Sequence, residues 1–137
     1  MKEYPWGKGT PTWVRDATLN DSDKSFTVPT GKVHDLKFVY VQFAATATVG
    51  SRTVAVVITD GTNEVLRCTA GSQVTASATA RFIFGQTTMD GYTGTTSEPL
   101  PGCLLPAGYV VRVYDVSAID AAADDMTVVL HYVEYDA

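Results

Sequence analysis

The chain has 137 residues, a length that suits one domain, and charged residues make up only 18% of it. Its net charge of −5 argues against a nucleic-acid-binding surface, which needs a basic excess, and its 45% hydrophobic content excludes a disordered acidic chain. Thr and Val together supply 37 residues (19 + 18), and such β-branched residues fit a pleated sheet better than a helix. No apolar run approaches 18 residues and no basic-then-apolar leader opens the chain, so we expect no membrane insertion and synthesis in a cytoplasm.

The first twelve residues predict an extended N-terminal arm and not a strand. Residues 1–12 hold two prolines and two glycines, with Tyr4 and Trp6 between them. The aromatic rings of such an arm either pack on the chain's own domain, which is the default expectation, or dock on a partner. The domain organisation predicted is therefore an arm at 1–12 and a β-sandwich at 13–137.

The next segments have strand-like patterns. Residues 36–43 are apolar on both alternations, which is typical of a central strand that is covered on both faces. Gly50 and Ser51 then predict a two-residue hairpin turn, followed by a strand around 54–58. The Asp-Gly-Thr-Asn segment at 60–63 predicts a second hairpin turn.

Residues 74–84 alternate cleanly between apolar and polar side chains, which predicts a half-buried antiparallel strand. Residues 85–107 hold four Gly and three Pro, which predicts a long loop that is functional or mobile. Strands are expected again at 108–114 and 126–135, with one helical turn or a wide loop between them. The whole pattern gives about eight strands and no amphipathic helix, so we expect an all-β, single antiparallel sandwich that resembles a jelly roll.

No catalytic constellation is evident. His34 and His131 are the only histidines, and neither lies in a recognisable catalytic motif, so a structural role is favoured for both. The sequence therefore predicts a protein that is not an enzyme, with no catalytic residues and no cofactor.

Acidic residues cluster in two connections, at 60–64 and at 120–125. Neither cluster matches a calcium-binding loop, and Asp and Asn commonly occupy turns because their side chains cap backbone N–H groups. Structural turn residues are therefore favoured over a metal site. Cys68 and Cys103 form no C-x-x-C pair and lie in apolar stretches, so we expect both to be reduced.

The candidate partner contacts are Lys2, Tyr4, Trp6, Lys8 and Tyr92. Their aromatic rings lie in arm or loop segments and not at regular strand positions, and Trp and Tyr are favoured as interface anchors. The two lysines are expected to face an acidic surface.

Three stretches together resemble the small β-sandwich virion proteins of tailed bacteriophages, and among these they resemble capsid decoration (cement) proteins most. They are residues 27–36 (TVPTGKVHDL), residues 47–60 (ATVGSRTVAVVITD), and residues 105–115 (LPAGYVVRVYD) followed by 124–130 (DDMTVVL). The resemblance extends over about residues 26–134 and concerns strand rhythm and turn residues.

The resemblance implies a structural protein that is made in the host cytoplasm and located on the capsid surface of the virion. It implies the major capsid protein and further copies of the chain as partners, most often in a homotrimer, with no nucleic acid and no membrane. The alternative is a tail- or fibre-associated module that binds a carbohydrate receptor, for which Tyr92 beside Asp90 is the candidate site.

Overall fold

The computed structural model describes residues 9–86 and 95–137, and its regular secondary structure there is entirely β-strand. No helix in these two ranges is long and apolar enough to cross a membrane. The strands are β1 (Thr10–Asp16), β2 (Asp23–Thr27), β3 (Lys32–Ala44), β4 (Val54–Thr59), β5 (Glu64–Thr69), β6 (Thr79–Gly85), β7 (Thr95–Pro99), β8 (Cys103–Leu105), β9 (Val110–Asp115) and β10 (Asp125–Asp136).

The strands form two sheets. A six-stranded sheet has the order β1-β10-β3-β6-β7, with β8 paired to β3 beyond the end of β6, and a four-stranded sheet has the order β2-β9-β4-β5. Every ladder is antiparallel except the one between β6 and β7. The predicted all-β sandwich is confirmed.

The pairing is nested. β1 pairs with β10, β2 with β9, β3 with β6 and β4 with β5, so that these successive pairs alternate between the two sheets. β7 and β8 are added at the edge of the six-stranded sheet, in the connection between β6 and β9. The connections β1–β2, β2–β3 and β3–β4 therefore cross the sandwich, whereas β4 and β5 form a hairpin within the four-stranded sheet.

This crossing corrects the hairpin predicted at Gly50 and Ser51. β3 and β4 lie in different sheets, so residues 45–53 are a crossover between the sheets and not a tight turn. Gly50 has a φ of +139°, and a Cβ added to it would lie 2.9 Å from Ile119, so the crossover needs glycine there. The turn at 60–63 is confirmed, because Asp60 N–H bonds to the carbonyl of Asn63 and β4 pairs with β5.

The described strands also differ from the prediction at three other places. β1 begins at Thr10, so residues 10–12 belong to the sandwich and not to the arm; Pro11 is tolerated because β1 is an edge strand. The predicted strand 74–84 begins only at Thr79, because Ser77 has a φ of +62° and bends the chain. Within the loop predicted at 85–107 lie the two short strands β7 and β8.

The central position of β3 is confirmed: β10 flanks it on one side, and β6 and β8 on the other. Val39, Val41 and Phe43 point between the sheets and are fully buried, while the residues between them face outward. A fully buried Phe contributes about 1.5–3 kcal/mol relative to an exposed one, so this strand contributes strongly to the core. The remaining core comes from the inward residues of β4, β6, β9 and β10: Val54, Val56, Ile58, Phe82, Phe84, Val111, Val113, Met126, Val128 and Leu130.

Candidate interaction surface

The outer face of the six-stranded sheet carries a row of aromatic side chains. Trp13 of β1 is opposite His131 of β10, and His131 is opposite Phe38 of β3. Cross-strand partners share a sheet face, so the register places the three rings side by side. We call Trp13, His131 and Phe38 the aromatic face.

The three rings contact one another in sequence. Trp13 stacks on His131 with a centroid distance of 4.1 Å and an interplanar angle of 21°, and it meets Phe38 edge-on at 5.3 Å. His131 Nδ1 donates to the carbonyl of Thr12 at 3.0 Å, which fixes the orientation of the imidazole under the indole. Trp13 nevertheless remains 62% exposed, so the face is ordered by its own contacts but not covered by them.

A second row follows on the same face. Arg15, Val129, Tyr40 and Ile83 are paired in register across four strands, next to the aromatic face. Arg15 is exposed, whereas the other three side chains are half-buried. The result is an ordered apolar surface with a positive charge at its rim, which is the composition of a binding-interface core with a polar edge.

The outer face of the four-stranded sheet is very different. Ala55 and Val57 point outward but are 0% and 4% exposed, because longer side chains on β5 and β9 cover them. Arg112 lies 3.8 Å from the centroid of the Tyr114 ring, and Arg67 donates to the Tyr114 hydroxyl at 3.1 Å. This face is therefore closed by its own cation–π and hydrogen-bond contacts.

Carboxylates complete that network at both ends. Asp23 accepts two bonds from Arg112, at 2.8 and 2.7 Å, and Glu64 accepts from Arg67 at 2.7 Å. Hydrogen bonding to Arg67 lowers the pKa of Glu64, and hydrogen bonding to Asp23 raises the pKa of Arg112. Because these polar groups pair within the sheet, the aromatic face is the better contact surface of the two.

A buried arginine joins two connections at one end of the sandwich. Arg52 is 0% exposed, and its guanidinium forms a bidentate pair with Asp124 at 3.0 and 3.2 Å. Its remaining N–H groups donate to the carbonyls of Thr48 and Gly50 and to the hydroxyl of Thr46, so all five donors are used. The pair fastens the β3–β4 crossover to the connection before β10.

Other acidic side chains in the 115–125 connection also have structural partners. Asp120 accepts from the hydroxyls of Thr46 and Thr48 at 2.6 and 3.0 Å, and these bonds lower its pKa. Asp115 accepts from the backbone N–H groups of Thr53, Ser117 and Ile119.

Asp125 accepts from the backbone N–H of Asn20, and Asp60 caps the N–H groups of Thr62 and Asn63. Across residues 9–86 and 95–137, no group of three His, Cys, Asp or Glu side chains is arranged to hold a metal ion. The acidic residues of both clusters therefore act as turn and crossover partners.

A buried lysine is a second polar group that the sequence pattern did not reveal. Lys24 of β2 is 1% exposed, and its ammonium donates to the carbonyl of Thr18 at 2.8 Å and to Asp16 at 3.1 Å. Asp21 lies 3.5 Å away. Lys24 thus holds the β1–β2 connection against the sandwich, and no sequence signal distinguishes it from a solvated surface lysine.

The two histidines have structural surroundings. His131 belongs to the aromatic face, and His34 is buried, where its Nε2 donates to Glu134 at 2.8 Å and its ring stacks on Tyr132 at 3.9 Å. The structure places the two imidazoles on opposite faces of the six-stranded sheet, because His34 points inward and His131 outward.

Cys68 and Cys103 are both free and half-buried. Burial raises the pKa of each thiol, and for Cys103 the neighbouring Cys68 and Asp35 raise it further.

The predicted partner contacts Lys2, Tyr4, Trp6, Lys8 and Tyr92 lie outside the described residues. Sequence reasoning placed Trp13 among ordinary strand residues, and the structure shows that it is the most exposed part of the aromatic face. One sequence signal could have indicated this exposure: Trp13 lies in a strand that follows a Pro/Gly-rich segment, and strands that contain proline are commonly at the edge of a sheet.

Comparison with known proteins identifies no family. No family model matches the sequence, and a comparison with curated proteins gave no match. Among solved structures, one similar chain belongs to the structure of infectious bursal disease virus, Gx strain, at 10% identity and a TM-score of 0.26. The alignment covers 95% of this chain, which spans 42% of the viral chain's length. A TM-score this low supports no argument about the fold, so the fold is assigned from the strand pairings described above.

Proposed function

We propose that this chain is a non-enzymatic virion structural protein that decorates and stabilises the outer surface of a phage capsid. In this proposal it binds the major capsid protein and further copies of itself, most simply as a homotrimer. The observation that carries the proposal is the aromatic face, an ordered apolar surface on one side of the sandwich in which the Trp13 ring is 62% exposed. Such a surface provides adhesion and requires no chemistry.

The strand order supports the same proposal. The pairs β1:β10, β2:β9, β3:β6 and β4:β5 alternate between two sheets, and this nested pairing supports the proposal of a jelly roll, a fold that many viral capsid and lectin domains share. The resemblance of residues 27–36, 47–60, 105–115 and 124–130 to phage decoration proteins points to the capsid surface in particular. One weak contact repeated on a closed lattice gains through multivalency, so a single modest patch is sufficient.

Co-sedimentation with capsids that lack the protein tests the proposal. We expect the wild type to pellet with the capsids and Trp13→Ala to pellet at least tenfold less well, because the exposed indole is the largest anchor of the face. Leu19→Ala is the matched control, since Leu19 is 68% exposed and lies off the sheet. If the wild type and Trp13→Ala pellet equally, the aromatic face is not the surface that binds the capsid. If the wild type stays in the supernatant, the decoration role is contradicted.

Light scattering tests the self-association. A trimer in the micromolar range that becomes smaller in Trp13→Ala would place the face between copies. A trimer unaffected by Trp13→Ala would mean that the aromatic face does not join copies of the chain and would assign it to the contact with the capsid shell. A wild type that is monomeric at these concentrations would contradict the homotrimer.

A carbohydrate-binding role on a tail or fibre is the second candidate. The exposed Trp13 ring, flat against His131, favours it, because a sugar ring can stack on such a surface. A glycan array separates the two candidates: specific binding to one glycan, lost in Trp13→Ala, supports the receptor role.

A further inference from the structure

An apolar cavity of about 220 Å³ lies between the two sheets at one end of the sandwich. Its walls are formed mainly by Val28, Leu36, Leu105, Val111 and Leu130, all of which are buried or half-buried core residues. The cavity is distinct from the aromatic face, because these side chains point inward between the sheets. Exposed Thr27 and Pro29 and half-buried Val14 and Phe26 also line it, so it is a pocket that is open on one side and not a sealed void.

The lining also contains the polar residues Thr27, His34 and Tyr132. His34 and Tyr132 both line the cavity and stack on each other at 3.9 Å with an interplanar angle of 16°. The imidazole uses Nε2 to donate to Glu134, and within the described residues its Nδ1 makes no hydrogen bond. The Tyr132 hydroxyl likewise makes no hydrogen bond to a described residue, although Tyr132 is only 9% exposed.

A polar group that lines a pocket without a hydrogen-bond partner in the protein is available to bond to a ligand or to water. Burial and the nearby carboxylate of Glu134 raise the pKa of Tyr132, so its hydroxyl stays protonated and can donate. His34 and Tyr132, as lining residues, thus supply hydrogen-bonding capacity to a mainly apolar space. Glu134, 2.8 Å from His34, disfavours an anionic ligand.

We propose that this cavity is a binding site for a small neutral phenol-class ligand, a single aromatic ring with one hydroxyl group. An engineered apolar cavity of roughly 150 Å³ accommodates benzene, and scaling by volume gives space here for about nine heavy atoms. The ring would occupy the apolar walls, and the hydroxyl would bond to Tyr132 or His34. This inference does not depend on the capsid-binding role.

The probe is 4-ethylphenol, compared with ethylbenzene, which lacks the hydroxyl, and with 4-phenylphenol, which exceeds the space. Isothermal calorimetry on the full-length protein is expected to give saturable one-site binding of 4-ethylphenol, weaker binding of ethylbenzene and none of 4-phenylphenol. Tyr132→Phe is expected to weaken 4-ethylphenol about fivefold while leaving ethylbenzene unchanged, because one neutral hydrogen bond contributes about 1 kcal/mol. Equal affinity for the two smaller probes in the wild type would overturn the role of the polar pair.

A cavity-filling variant tests the location. Val14→Phe adds a ring at the half-buried wall contributed by β1, and it is expected to abolish binding of 4-ethylphenol, whereas Val65→Phe at an exposed position of β5 leaves binding intact. If Val14→Phe does not fold, methyl NMR of the wild type replaces it. Shifts confined to Leu105, Val111 and Leu130 support the site, and shifts elsewhere, or no binding of any probe, overturn it.

Discussion

Arg52 and Asp124 form a bidentate ion pair in which neither side chain has exposed surface. The two residues are 72 positions apart in the chain, and their contact links the crossover between the sheets to the connection that leads into β10. Arg112 and Asp23 form a second bidentate pair with similar distances, but there both side chains are about 40% exposed. The same chemistry therefore occurs both in the core and in solvent.

Arg52→Met is expected to destabilise the protein by about 3–5 kcal/mol, because it leaves the Asp124 carboxylate buried without its partner. Arg112→Met is the matched control and is expected to cost about 1 kcal/mol or less, since exposed pairs contribute little. Urea denaturation followed by circular dichroism measures both. The double variant Arg52→Met/Asp124→Leu is expected to regain much of the loss. Equal losses for Arg52→Met and Arg112→Met would show that burial does not determine the effect.

Trp13→Ala is expected to change the free energy of unfolding by about 1 kcal/mol or less, because the indole is mostly in solvent. Phe82→Ala, at a fully buried position of the same sheet, is expected to cost about 3–5 kcal/mol. Thermal melts compare the two variants. A large loss in Trp13→Ala would give the aromatic face a structural role and weaken its assignment as a contact surface.

Asp120→Asn is expected to lower the melting temperature at neutral pH and to have little effect in acid. The pKa of Asp120 is lower in the folded protein than its ordinary value of 3.8, so its ionised form stabilises the fold above that pH. This stabilisation is lost as the pH falls through the lowered value, where wild type and variant converge. Melts from pH 7 to pH 2 test this, and a constant difference over that range contradicts it.

Both cysteines are expected to stay reduced and to react slowly with Ellman's reagent near pH 8, because burial raises both thiol pKa values and leaves little thiolate. Cys68→Ala and Cys103→Ala are expected to lower stability only modestly. A thiol titration in the folded and the urea-unfolded protein measures the difference in rate. A native protein with no titratable thiols, or one that unfolds on adding a mild reductant, would contradict this.

Deletion of residues 1–8 is expected to leave the sandwich folded, because the described strands begin at Thr10. We also expect weaker attachment to capsids or to sister copies, since the deleted segment carries Tyr4, Trp6 and two lysines. Co-sedimentation and a melting curve are run together on the truncated protein. Unchanged binding would show that the segment is dispensable, and a collapsed melt would show that Trp6 belongs to the protein's own core.

Local patterns were sufficient for part of the fold. The turn at 60–63 and the central strand β3 follow from short-range chemistry: a side chain that caps its own turn, and a strand that is apolar on both faces. Arrangements that depend on residues far apart in the chain could not be predicted from the sequence. The strand-like alternation at 74–78 is overridden because Ser77 N–H bonds to the carbonyl of Thr46, in the crossover between the sheets.

The short strand β7 was also not predictable, because it has the polar sequence TTSEP and pairs in parallel with β6, an arrangement that its composition does not indicate.

The contact surface was the least predictable feature. Trp13 resembles a core residue in sequence, and only the position of β1 at the edge of its sheet, together with the orientation of the strand, exposes the ring. Burial of Arg52 and Lys24 likewise depends on partners contributed by connecting segments.

The nested pairing has a consequence for how the chain acquires its structure during synthesis. β10 lies between β1 and β3, so neither of those early strands has its full set of neighbours until β10 has been made. Until then, each presents an unpaired backbone edge, which is a template for pairing with another chain. Folding that depends on such distant pairings is expected to take on the order of milliseconds to seconds. A nascent chain interrupted before β10 is therefore the species most exposed to aggregation.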